Sequence, residues 1–131
     1  MISVMEDKAQ LTMQKLCEKI LDVDEVGFVG IIDKMGNIVS ERFRDDVLPF
    51  ENDAKRRMFY MQMVLEISMR KEFDSDLGGV NYTASSRNKA LIITVPIDDK
   101  IILVSSSPYA STEKIVKKIN EVFHLSIGGS Y

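Results

Sequence analysis

The first half of the chain alternates between helical and extended patterns of apolar residues. Apolar side chains recur at helical spacing over residues 4–21, which predicts a helix with one apolar face. Residues 26–33 are apolar on both faces and predict a central strand. The turn at 34–37 contains Gly and Asn, which suit a tight hairpin leading into a more polar strand at 38–43. A long helix is predicted from residue 52 or 53 to about residue 71, because an Asn-Asp pair precedes its apolar run.

The second half predicts three short strands and a last helix. The strands cover residues 80–85, 90–97 and 100–106. Ser111 is the expected N-cap of a helix over 112–123, and residues 124–131 are expected to form a loose tail. The order α-β-β-α-β-β-β-α predicts an α/β (α+β) fold in which helices flank a five-stranded antiparallel sheet.

Composition limits the class of protein. A chain of 131 residues with 45% apolar residues predicts one domain, over residues 1–131. Lys and Arg total 17 against 20 Asp and Glu, so the excess of positive charge typical of nucleic-acid binding is absent. No apolar run approaches the roughly 18 residues that cross a bilayer, so no membrane role is expected. The single cysteine favours a reducing compartment and predicts a cytoplasmic protein.

Candidate catalytic and metal-binding residues are few. Cys17 falls on the apolar face of the first helix, and the only histidine, His124, follows the last helix, so neither is expected to be catalytic. The acidic turn at 22–24 has the spacing of the first two ligands of a calcium loop, but Val26 has no oxygen for the next ligand position. We therefore predict no catalytic residue, no metal site and no cofactor.

The middle helix has an unusual distribution of side chains. Its apolar positions cover more than half of the circumference: Met58, Tyr60, Met61, Val64, Leu65, Ile67 and Met69. Phe59 falls within the polar stripe and Met63 borders it, with Gln62, Glu66 and Arg70 around them. Two interpretations remain open: a helix buried in the core on several sides, or a flank that contacts another protein.

Several segments resemble the roadblock family, which is named for dynein light chains and includes small bacterial and archaeal regulators of GTPases. They are the helix at 16–21, the strand and turn at 24–39, and the strands at 90–97 and 101–104. The chain is also similar to small archaeal proteins. The resemblance implies a roadblock- or profilin-like fold, a non-enzymatic homodimer that acts as a regulator or scaffold, and a small Ras-like GTPase or another protein as partner.

The resemblance also implies which residues meet the partner. The first strand after the middle helix, residues 80–85, would pair with its counterpart, and the middle helices would pack across the dyad. The expected contact residues are Phe59, Gln62, Met63, Glu66, Arg70, Val80, Tyr82 and Ala84. The loop at 44–52 is longer and more acidic than is usual in the family, and the middle helix is rich in methionine rather than alanine.

An alternative function is a small-molecule sensor of the PAS or profilin-like type. Such a domain needs a cavity between helix and sheet with a few convergent polar groups. The sequence predicts a lining of large apolar residues there and no inward polar trio.

Overall fold

The computed structural model describes residues 4–44, 50 and 52–124, and for residues 4–10 only the backbone. Five strands form one antiparallel sheet in the order β2-β1-β5-β4-β3. The strands are β1 Val26–Asp33, β2 Ile38–Phe43, β3 Thr83–Ser86, β4 Leu91–Ile97 and β5 Lys100–Ser106. The helices are α1 Val4–Ile20, α2 Asp53–Arg70, α3 Asp74–Leu77 and α4 Thr112–Phe123, with a 3₁₀ turn at Lys71–Phe73. The predicted fold class and element order are confirmed.

The sheet has a helical layer on each face. On one face, α1 and α4 pack against β-strand residues such as Val29, Ile93 and Val104, all fully buried. On the other face, α2 packs against Phe28, Leu103 and their neighbours. Central strands that are buried on both faces read as continuous apolar runs, which explains why β1 and β5 lack polar alternation.

Side-chain caps fix the N-terminal ends of α2 and α4. The Asn52 carboxamide oxygen accepts a hydrogen bond of 2.8 Å from the Lys55 amide at the start of α2. The Ser111 hydroxyl accepts one of 3.2 Å from the Lys114 amide at the start of α4. These bonds satisfy amides that have no partner within the helix, and both caps agree with the sequence prediction.

Arg44 holds the corner between α1 and β1. Its guanidinium donates to the carbonyls of Leu21, Val23 and Val26, and its amide donates to the Gly27 carbonyl at 2.8 Å. The turn after α1 is therefore closed by side-chain hydrogen bonds from the end of β2, a contact that sequence spacing does not reveal.

The structure corrects the bounds of β3. The strand was expected over 80–85 but runs from Thr83 to Ser86, so Val80 and Tyr82 precede it. Pairing with β4 stops at Thr83 opposite Thr94, two residues before Pro96, which has no N–H to donate to a neighbouring strand. The short helix α3 and Gly78, with a φ of 82°, occupy the chain before β3.

Two predictions fall partly outside the described residues. The loose tail was predicted over 124–131, and of this range only His124 is described; it adopts a left-handed conformation at the C-cap of α4. The acidic loop at 44–52 is described only at residues 44, 50 and 52.

Candidate interaction surface beside helix α2

A groove lies between α2 and the free edge of the sheet. Helix α2 packs over β1, β5 and Ile92 of β4, and leaves the neighbouring part of β3 uncovered. The space has a volume of about 310 Å³. We call it the α2–β3 groove, and its lining residues are Phe50, Phe59, Gln62, Met63, Glu66, Thr83, Ser85, Arg87, Ala90, Ile92, Thr94 and Ser105.

The helical wall of this groove is part apolar and part polar. Met63 is buried and Phe59 is partly buried, and both pack with the side chains beneath α2. The Phe59 ring lies 5.0 Å from the Phe50 ring between centroids. One turn further along, the Gln62 amide donates to Glu66 at 3.2 Å. Gln62 is exposed, so this polar pair lies at the outer rim of the groove.

The strand floor of the groove is rich in hydroxyl groups. Thr83 and Ser85 of β3 lie opposite Thr94 and Ile92 of β4. At one end the Arg70 guanidinium donates to the Thr83 hydroxyl at 3.0 Å, which ties the end of α2 to the start of β3. The expectation of an apolar lining without convergent polar groups is therefore wrong, because alternation along β3 turns the Thr83 and Ser85 side chains toward α2.

The structure brings together most of the residues predicted as a contact surface. Phe59, Gln62, Met63 and Glu66 line the groove, and Arg70 closes its end. Val80 and Tyr82 lie in the segment before β3, where Tyr82 is exposed. Ala84 lies opposite Ile93, whose side chain belongs to the core on the α1 and α4 face, so alternation directs Ala84 away from the groove.

Helix α2 has a second apolar surface, which the sequence pattern does not distinguish from the surface that packs in the core. The sheet-facing side of the helix carries Tyr60, Met63, Val64 and Ile67. The opposite side carries exposed apolar residues, which we call the methionine ridge: Met58 at 72%, Met61 at 40%, Leu65 at 56% and Met69 at 72% exposure. Their spacing of three and four residues could have indicated a separate face, but a helical wheel alone does not say which apolar face meets the sheet.

The single cysteine is enclosed by the core. Cys17 has no exposed surface, and burial raises the pKa of its thiol to about 11. A nucleophilic cysteine needs a lowered pKa and access to substrate. Over residues 4–44, 50 and 52–124, no group of three His, Cys, Asp or Glu side chains could hold a metal ion.

Solved structures share this arrangement of sheet and helices. A roadblock/LC7 domain from Streptomyces avermitilis has a TM-score of 0.67 at 9% identity, over 85% of this chain and 91% of that chain. MglB from Myxococcus xanthus has a TM-score of 0.67 at 10% identity, over 95% and 93%. A profilin from Schizosaccharomyces pombe has a TM-score of 0.59 at 10% identity, over 83% and 91%. The protein therefore has a roadblock/LC7-type fold, as the sequence resemblance predicts.

The chain also belongs to a sequence family, which is a more specific group than the fold class. A family model matches residues 6–126, and the chain belongs to that family, which is described as a family of unknown function (DUF6659). No curated protein matches the sequence. Within the described part of the chain, no helix combines the length and the apolar character needed to cross a membrane.

Proposed function

We propose that this protein is a non-catalytic regulator or scaffold that acts as a homodimer, and that two copies meet through the edge of β3 and the α2–β3 groove. The observation that carries the proposal is the position of β3 at the edge of the sheet, beside a groove that no helix covers in the described part of the chain. An edge strand has backbone N–H and C=O groups that a second strand can pair. A second copy added at this edge would satisfy these groups.

The same pairing would bring the partner's α2 over the groove. Phe59 and Met63 offer apolar contact area, and Gln62 and Glu66 provide a polar rim, which is the usual composition of a protein interface. Val80, Tyr82 and Ala84 flank or belong to β3 and stay part of the proposed contact. The enclosed thiol of Cys17 supports a role without catalysis.

The test is a lysine on the edge strand. Ser85 is exposed and lines the groove, so Ser85→Lys should leave the fold intact and place a charge where the second copy would pack. We expect a wild-type mass of at least two copies at micromolar concentration, and an assembly at least about tenfold weaker for the variant. Analytical ultracentrifugation measures both.

The matched control is Glu121→Lys, which adds a lysine on exposed α4, on the opposite face of the sheet. It should keep the wild-type mass. A wild-type monomer, or a Ser85→Lys protein that assembles as tightly as wild type, would contradict the proposed dimer.

The partner class rests on the resemblance to roadblock proteins. We propose a small Ras-like GTPase as partner, and a cytoplasmic location with no nucleic-acid or membrane ligand. Among the similar structures is an MglB from Thermus thermophilus that is called a gliding protein, and another MglB has a tetrameric arrangement. Affinity capture from native lysate, repeated with GDP and with a non-hydrolysable GTP analogue, should recover a GTPase in one nucleotide state only. Equal recovery in both states would argue against regulation of this kind.

A second candidate function is a small-molecule sensor, and the polar groups in the groove favour it. A volume of about 310 Å³ lies at the lower end of the range for ligand pockets, and Glu66, Arg87 and several hydroxyls converge there. Native mass spectrometry of the purified protein distinguishes the two functions. A stoichiometric small-molecule adduct that Ser85→Lys removes would favour the sensor, and a dimer without an adduct would favour the regulator.

A further inference from the structure

The methionine ridge has a nearly symmetrical sequence pattern about its centre. Met61 and Met69 lie four residues to either side of Leu65. Met58 lies seven residues before it, and Phe73, in the 3₁₀ turn after α2, lies eight residues after it. All five side chains are exposed. Such a pattern is self-complementary when two helices lie antiparallel, because each residue then faces its mirror position across a two-fold axis.

The charged residues near the two ends of the ridge have opposite signs. Lys55 and Arg57 of α2 flank the ridge at its beginning, and Glu72 of the 3₁₀ turn and Asp76 of α3 follow its end; all four are exposed. No ion pair joins any of the four to another residue in the part of the chain that the structure describes. With a two-fold axis at Leu65, each cation lies within one or two residues of an opposing carboxylate.

The other charges at these two ends are directed elsewhere. Arg56 forms ion pairs with Asp53 at 3.1 Å and with Glu41 at 3.9 Å. Arg70 donates to Thr83, and Lys71 lines a separate hollow beside Asp98. Because these charged groups are directed away from the ridge, the ridge has basic residues at its beginning and acidic residues at its end.

We propose that the methionine ridge binds the ridge of a second copy of this chain, antiparallel and centred on Leu65. Residues 55–70 of α2 span about 23 Å at the helical rise of 1.5 Å per residue, and the 3₁₀ turn and α3 continue beyond that end. Methionine side chains adapt to fill such a contact. The ridge lies on the side of α2 opposite the sheet, so it stays free when the β3 edge is paired. Together the two contacts would build an assembly larger than a dimer.

The decisive experiment uses two charge-reversed full-length proteins. One carries Lys55→Glu and Arg57→Glu, and the other carries Glu72→Lys and Asp76→Lys. Each alone places like charges opposite each other at both ends, so we expect ridge pairing at least about tenfold weaker than in wild type. In an equimolar mixture every end meets its opposite charge, and pairing should return to the wild-type level.

The assembly is measured by sedimentation velocity in the Ser85→Lys background as well as in wild type. In the Ser85→Lys background the ridge should give a dimer that each charge-reversed protein splits into monomers. Recovery in the mixture also demonstrates that both variants are folded. If Ser85→Lys has no effect on mass while the charge pattern behaves as expected, the edge dimer fails and the ridge contact stands.

A second pair of variants probes the centre of the contact. Leu65→Glu and Leu65→Lys each place two like charges at the proposed axis, and their mixture places opposite charges there. Each variant alone should lose the ridge-dependent mass and the mixture should regain it. Charge-reversed or Leu65 variants that assemble like wild type, or mixtures that do not recover, would overturn the proposal.

Discussion

The buried thiol of Cys17 makes the stability of the protein depend on pH. Burial raises the pKa of its thiol from 9.0 to about 11. Between these two values the unfolded chain releases the proton while the folded chain keeps it, so ionisation stabilises the unfolded state. The free energy of unfolding should therefore be unaffected by this group below pH 9 and fall by about 2–3 kcal/mol toward pH 11.

Urea denaturation at several values between pH 8 and pH 11 measures this effect. Cys17→Ala should be less stable at pH 8, because it leaves a small cavity, but should lose less stability as the pH rises. Burial also raises the pKa of Tyr60 to about 12, so the comparison is repeated in a Tyr60→Phe background. Equal slopes with and without Cys17 would mean that the thiol is accessible in the folded protein.

The sequence position of Phe59 indicates which flank of α2 it lies on, but not its contact with Phe50. Its position in a polar stripe draws attention to the flank of α2 that lines the groove. Its contact with Phe50 could not be read from spacing, because the two rings are brought together by the course of the intervening chain.

The hairpin turn between β1 and β2 packs against α2. Gly36 has a φ of 81°, and a Cβ added there would lie 2.6 Å from the Met61 sulfur. Gly36→Ala should lower the free energy of unfolding by about 1–2 kcal/mol for the backbone alone, with a smaller addition for displacing the flexible Met61 side chain.

Two other glycines separate these contributions. Gly78 has a φ of 82° but open space around a new Cβ, and Gly79 has open space without a positive φ. Gly78 also has a ψ of 166°, a conformation that essentially only glycine adopts, so Gly78→Ala should cost at least as much as Gly36→Ala. Gly79→Ala should be close to neutral in thermal or urea denaturation. A Gly36→Ala protein as stable as Gly79→Ala would mean that the turn does not adopt this conformation.

The whole molecule can be probed through its methionines. Met58 and Met69 are exposed and Met63 is buried. In dilute protein treated with hydrogen peroxide, Met58 and Met69 should oxidise several-fold faster than Met63, as measured by peptide mass spectrometry. At high concentration the ridge residues should become protected, while Met35 on the hairpin turn should remain reactive.

The Ser85→Lys and charge-reversed proteins are the controls for this footprint. Ridge protection should persist in the former and disappear in the latter. Oxidation of Met63 at the rate of Met58 in folded protein would contradict the packing of α2 against the sheet.

Local sequence patterns specify the order of the elements, their main boundaries and the central position of β1. These follow from local rules: apolar periodicity, Asn and Ser caps, and turn residues act over a few neighbouring positions. The roadblock-like fold was predictable for the same reason, since its pattern is carried by that order.

The start of β3 and the choice of the apolar face of α2 that meets the sheet depend on tertiary contacts. Both depend on partners distant in sequence: the register of β3 on β4, and the packing of Tyr60 and Ile67 against Phe28 and its neighbours. The methionine ridge and the groove are what this packing leaves uncovered. A helical wheel shows where the apolar residues of a helix lie, but the packing of the fold decides which of them face the sheet and which face outward.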